Sequence, residues 1–217
     1  PWFAKQRREE GSFVDPFLKA TAYVTALGWS FCLAVICLAH PIIRVLYGHQ
    51  WDTSVDLARV LAVAIAFGVP AALCQTALLS SGSVATIARV TVLNALQSVV
   101  FVALGASQGL MELGFAMIAS GAVGAFIWLR AASKQLGFSL PTLISTLRLS
   151  AAVALTSAIG PGLALWLYGP YPKMFVMPLV LGGLVGLIGF VVGVIMFKHP
   201  LEEEITTIFS TIKRRLS

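Results

Sequence analysis

No charged side chain lies between Lys19 and Arg44, between Arg59 and Arg89, between Arg89 and Glu112, between Glu112 and Arg130, between Arg148 and Lys173, or between Lys173 and Lys198. These six gaps constrain the fold more than any other feature. A helix that crosses the ~30 Å hydrocarbon core of a bilayer needs about 20 apolar residues, within a range of roughly 17–25. Each gap holds one such helix, and none comfortably holds two. The pattern predicts spans over about 21–44, 57–79, 91–110, 113–130, 149–168 and 175–197.

Composition agrees. The 217 residues are 58% hydrophobic and 11% charged, with a mean hydropathy of +0.90. A soluble domain averages about 45–50% apolar and about 25% charged, so a water-soluble enzyme is excluded. Disorder is excluded too, because it needs low hydrophobicity and high charge. Barrel strands would alternate in polarity over about 10 residues, whereas runs such as Phe31-Cys32-Leu33-Ala34-Val35-Ile36-Cys37 are continuously apolar. In lipid such a run must satisfy its own backbone hydrogen bonds, so it must be helical. The expected fold class is all-α, a polytopic transmembrane bundle.

With the N-terminus placed in the cytoplasm, twelve of the fifteen Lys and Arg side chains fall on that side. Arg44, Arg59 and Lys173 fall on the other. The positive-inside rule then puts both ends of the chain in the cytoplasm. The net charge of +6 has the same origin; it suits an anionic inner leaflet and gives no reason to expect nucleic acid. The expected organisation is a connector (1–19), four spans (20–130), an interfacial segment (131–148), two more spans (149–197) and a cytoplasmic tail (198–217). The first residue is Pro1 and no signal peptide is visible, so a C-terminal portion of a longer polypeptide is expected.

Apolar residues at 201, 205, 208, 209, 212 and 216 share one helical face, which predicts an amphipathic tail helix lying on the membrane surface. A short interfacial turn is expected over 139–148. Thr53 and Asp56 are spaced as a capping box for the second span. His40-Pro41 marks a tolerated kink near the end of the first.

Gly182, Gly186, Gly189 and Gly193 fall on one helical face, as do Ala116, Ser120 and Gly124. Small faces let helix backbones approach closely; ordinary packing and a sliding or dimerising face are both open. Intramembrane polar groups are few. Gln75, Asn94 and Gln97 either line a hydrated cavity or pair between helices. Arg44, Arg59 and Arg89 at span ends suit a phosphate, whose oxygens match the planar guanidinium, or act as snorkelling anchors. No Asp or Glu lies inside the predicted spans, so no proton- or sodium-relay carboxylate is evident. Cys32, Cys37 and Cys74 sit in apolar runs and His40, His49 and His199 lack ligand spacing, so no metal is expected. No phosphate loop, nucleophile elbow or paired carboxylates appear. No cofactor is expected, and the chain does not read as an enzyme.

Three stretches carry a family resemblance: Pro1-Trp2-Phe3-Ala4-Lys5-Gln6-Arg7-Arg8-Glu9, the run from Ala39 to Trp51 containing Tyr47-Gly48-His49-Gln50-Trp51, and Leu57-Ala58-Arg59-Val60-Leu61-Ala62. They resemble the middle of bacterial polysaccharide or oligosaccharide (O-antigen-type) flippases of the multidrug/oligosaccharidyl-lipid/polysaccharide exporter superfamily. Tyr47, Gly48 and Trp51 form the most specific part. The resemblance implies a protein of about 12–14 spans in two lobes, of which this chain supplies most of the second lobe and an additional pair of helices. It implies an undecaprenyl-pyrophosphate-linked oligosaccharide as substrate, moved between leaflets by alternating access, with membrane lipids, a glycan polymerase and glycosyltransferases as partners. The family's cationic cavity has no counterpart here, because no Lys or Arg sits well inside a predicted span. An antiporter of the same superfamily and a structural membrane subunit are the alternatives.

Overall fold

The computed structural model describes residues 14–202. The expected tail helix and the Pro1–Glu9 stretch therefore fall outside the described residues.

The elements are α1 (Val14–Tyr47), a 3-10 turn (His49–Ser54), α2 (Val55–Gly68), a 3-10 turn (Val69–Ala71), α3 (Cys74–Ser80), α4 (Val84–Ala106), α5 (Leu110–Leu136), α6 (Leu140–Ser157), α7 (Ile159–Tyr168) and α8 (Val176–Met196). There is no strand among the described residues. The helices form six segments long and apolar enough to cross a membrane: α1, α2 with α3, α4, α5, α6 with α7, and α8. The fold is the expected all-α bundle of six spans.

Helix ends differ from the sequence expectation wherever a charge was read as a boundary. The third span starts at Val84 and not near 91, because Arg89 is exposed on α4 and does not end it. A guanidinium can leave the hydrocarbon along its own stem while its backbone stays helical. The 139–148 segment is likewise helical: Ser139 caps α6 by accepting from the Thr142 amide at 3.2 Å, and Pro141 sits in the first turn, where no N–H is needed.

Prolines break three spans. Pro41 lacks the N–H that α1 requires, and the helix loses its regular dihedrals at Leu38. Pro70 follows the end of α2 and cannot donate to the Ala66 carbonyl; Trp29 Nε1 on α1 donates to that oxygen instead, at 2.7 Å. Pro161 leaves the Ser157 carbonyl without its helical donor, next to the break between α6 and α7.

Two groups of helices result. The first span packs on the second, fifth and sixth, and the fourth packs on the second and third. The third is the least embedded, with only 6% of its apolar window buried, so most of its apolar surface is left uncovered by the other described helices. The best-packed core joins Phe17 and Leu18 of α1 to Cys74, Ala77, Ala132, Phe138 and Leu143.

The glycine face of α8 lies against α6 and α7. A Cβ at Gly160 would fall on the backbone of Gly186 and Gly182, and one at Gly189 on the Thr156 carbonyl. The freed Ser157 oxygen lies against Gly186. Of the two readings of that face, intramolecular packing is the one the bundle displays.

Candidate functional site

The expected site residues separate into two places. Gln75, Asn94 and Gln97 surround one cavity, whereas Arg44 and Arg59 stand at the end of the bundle where α1 meets α2. Arg89 is exposed near the start of α4.

The cavity has a volume of about 510 Å³ and lies between the second, third and fourth spans. Asn94, Gln97 and Ser98 share one face of α4 because their spacings approximate a helical turn. Ser120 faces them from α5, midway along its length. Gln97 Nε2 donates to Asn94 Oδ1 at 3.2 Å and lies 3.3 Å from both the Ser120 carbonyl and its Oγ. Ser120 Oγ donates to Ser98 Oγ at 3.3 Å. Gly124 leaves room for this cluster: a Cβ there would collide with Asn94 Oδ1. Gln97 Oε1 is buried without a hydrogen-bond partner.

Gln75 and Trp128 complete the wall. Gln75 is exposed and stands about 8 Å from the Ser80 end of α3 at a rise of 1.5 Å per residue. The cavity therefore runs from near one end of the bundle to about the middle of α4 and α5. No ionisable side chain lines it. Asn94 and Gln97 form a hydrogen-bonded group that reaches Ser120 on the facing helix, and they also border open space. Trp128 and Ser98 were not picked out from the sequence. Ser98 was detectable from its position one turn from Asn94; Trp128, an apolar residue in an apolar run, was not.

The two arginines are differently engaged. Arg44 Nη2 meets Asp52 Oδ2 at 2.6 Å, with the guanidinium 5.3 Å from the Phe175 ring. Arg59 Nη1 meets Asp56 Oδ1 at 2.7 Å, and its Nη2 donates to the Pro170 carbonyl at 3.1 Å. Tyr171 OH donates to the same Asp56 carboxylate at 3.0 Å. His40, 4% exposed, packs edge-on to Tyr171 and Phe175. These contacts clamp the α1–α2 turn to the loop before α8. Each arginine has a carboxylate partner, so neither projects a bare charge toward the cavity.

This arrangement overturns the expected capping box. Ser54, not Thr53, precedes α2, and it makes no side-chain cap bond. Asp56 accepts from Arg59 and Tyr171, and the guanidinium adds a second charge to the bond. The Tyr47-Gly48-x-x-Trp51 stretch explains the turn itself. Gly48 takes φ +86°, which L side chains rarely adopt, and ends α1. The 3-10 turn then folds back, brings Trp51 to 6.0 Å from the Tyr47 ring and returns Asp52 to Arg44.

At the opposite end, His199 is 1% exposed. The Leu201 amide donates to its Nδ1 at 3.2 Å, so the proton resides on Nε2, which lies 3.2 Å from Ser150 Oγ. That hydroxyl donates to the Ala22 carbonyl at 3.1 Å, and Tyr23 OH donates to the Pro200 carbonyl at 2.9 Å. Burial holds the imidazole below its ordinary value of 6.5. The latch joins α1, α6 and the segment after α8. Sequence alone assigns His199 no role beyond lacking ligand spacing, and it does not anticipate this latch.

No group of side chains suited to hold a metal occurs among the described residues. No protein-family model, curated protein or solved structure matches the chain.

Proposed function

We propose that this chain is the later part of a carrier that flips undecaprenyl-pyrophosphate-linked oligosaccharide from the cytoplasmic to the periplasmic leaflet of a bacterial inner membrane. The product would feed polysaccharide or lipopolysaccharide synthesis. The observation that carries the reading is the uncharged polar cavity reaching mid-depth between the second, third and fourth spans. A sugar-pyrophosphate head cannot enter hydrocarbon alone, because moving an ion into a low-dielectric medium costs tens of kcal/mol before relaxation. A carrier must replace its water with polar side chains while the polyprenyl tail stays in lipid. Amide and hydroxyl groups along the cavity do this for the sugar part of the head, since each can donate and accept.

The positive-inside distribution supports cytoplasmic ends and a periplasmic position for the Arg44–Asp52 and Arg59–Asp56 clamp. In alternating access such a clamp belongs on the side that closes while the other side loads. The catalysed event is movement, with no bond broken. The antiporter reading is weaker: among the described helices Asp15, Asp56 and Glu112 all lie in first turns, where the helix dipole favours them, and none stands at mid-span.

Deletion of the gene in a strain without redundant carriers tests the proposal. Labelled lipid-linked glycan is expected to accumulate on the inner leaflet. Arrival in the periplasm at a normal rate would refute it.

A further inference from the structure

The mid-depth cavity has an unusual combination of walls. Carboxamides stand on two spans, Gln75 on α3 and Asn94 and Gln97 on α4, with Ser98 and Ser120 between them and the indole of Trp128 on α5. No Lys, Arg, His, Asp or Glu borders the space. A phosphate held here would lack a counter-charge, and a cation would lack a carboxylate. A polyhydroxylated neutral group suits these walls. Its hydroxyls both donate and accept, as the carboxamides and serines do, and the C–H face of a pyranose ring suits a rigid apolar indole. The volume of about 510 Å³ falls within the roughly 300–1,000 Å³ of small-molecule sites. Asn94, Gln97, Ser98 and Ser120 are already oriented by bonds to one another. Gln75 is exposed beside them.

The geometry points to this cavity as a saccharide subsite, which holds one or two uncharged sugar rings stacked on Trp128 and hydrogen-bonded to Gln75 and the Asn94–Gln97 pair, and does not hold the pyrophosphate. The assignment deepens the proposed function and rests on it for the identity of the lipid that bears the sugar. It divides recognition in two. This seam reads the glycan, and the pyrophosphate finds its counter-charge elsewhere.

The test uses the full chain in nanodiscs with two kinds of probe. Methyl glycosides of glucose, galactose and N-acetylglucosamine report direct binding through saturation transfer from protein to sugar C–H protons. Polyprenyl pyrophosphate with and without its glycan reports the contribution of the sugar to affinity. Trp128→Ala and Gln75→Ala are expected to lower both the transfer signal and the affinity for the glycosylated lipid about tenfold, while affinity for the sugar-free lipid changes less than about twofold. Trp128→Phe, which keeps an aromatic face, is expected to retain most of the binding. The Gln75 side chain is exposed, so its truncation separates recognition from folding. Equal losses for both lipids, or a transfer signal unchanged by either alanine variant, would overturn the subsite. Saturation transfer without binding of either lipid would keep the subsite and refute the flippase reading. Binding of both lipids with equal affinity and no transfer would do the reverse.

Discussion

Two interfaces inside this bundle use small residues to opposite ends. Where α8 meets α6 and α7, glycines bring backbone onto backbone: a Cβ at Gly160 would strike the main chain of Gly186, and one at Gly189 would strike the Thr156 carbonyl. Where α4 meets α5, Gly124 and Ser120 make space for carboxamides, and a cavity of about 510 Å³ opens beside them. The first interface excludes everything and fixes two spans as a unit. The second leaves polar groups facing a space that can hold water or a ligand. A glycine on a helix face thus gives close packing or a cavity according to what stands opposite it: another backbone, or a side chain that makes hydrogen bonds.

The sharpest way to break the first interface is Gly160→Leu. The new side chain meets main chain that cannot move aside, and a loss of about 3 kcal/mol or more is expected. Gly162→Ala, two residues away where an added Cβ would have nothing within 4 Å, should cost no stability. Thermal unfolding in detergent compares the two, and equal losses would show that the contact is not backbone-limited. Next in size is Trp29→Phe. It removes the donor that satisfies the Ala66 carbonyl and should cost about 1–3 kcal/mol. Pro70→Ala in the same chain supplies a backbone N–H for that oxygen and should recover part of the loss in a double-mutant cycle.

A smaller effect is expected at the clamp. Arg44→Ala and Asp52→Ala should couple by about 1 kcal/mol or less, because both groups are partly exposed. Additive losses in the cycle would show that the pair is not coupled in solution. Within the polar interface, Gln97→Leu should cost about 0.6 kcal/mol, the typical worth of a hydrogen bond between membrane helices. The smallest effect at neutral pH concerns His199, because it is absent there. Its folded-state ring is held below the ordinary 6.5, so as pH falls through that value the unfolded chain takes up the proton first and stability is lost. His199→Gln should flatten this slope in unfolding measured at neutral pH and about one to two units lower. An unchanged slope would place its origin elsewhere.

The spans were legible because charge is excluded from hydrocarbon, and the six gaps in the charge pattern correspond to the six spans among the described residues. The sequence also exposed the α8 glycine face and the Asn94–Gln97 pair, since both obey helical spacing. What it did not reveal are partnerships between residues far apart in the chain. Nothing local in Asp56 indicates Tyr171, and nothing in Ser150 indicates His199. The same holds for Trp29 and Ala66, although Pro70 does announce that one carbonyl in α2 lacks its helical donor. The capping box failed for a related reason: local spacing offered Asp56 an amide, and tertiary structure offered it a guanidinium and a phenol.

The account stands on a hydrated seam at mid-depth, and α4 allows a direct test on a single helix. In a background with Cys32, Cys37 and Cys74 replaced, Asn94→Cys and Leu96→Cys are labelled in membranes with a water-soluble maleimide, which reacts with the thiolate and so requires water. Leu96 is the more exposed of the two by geometry, at 61%. The account predicts that the half-buried position 94 reacts faster, because its face is wet and that of position 96 is in lipid. Faster reaction at position 96 would contradict it.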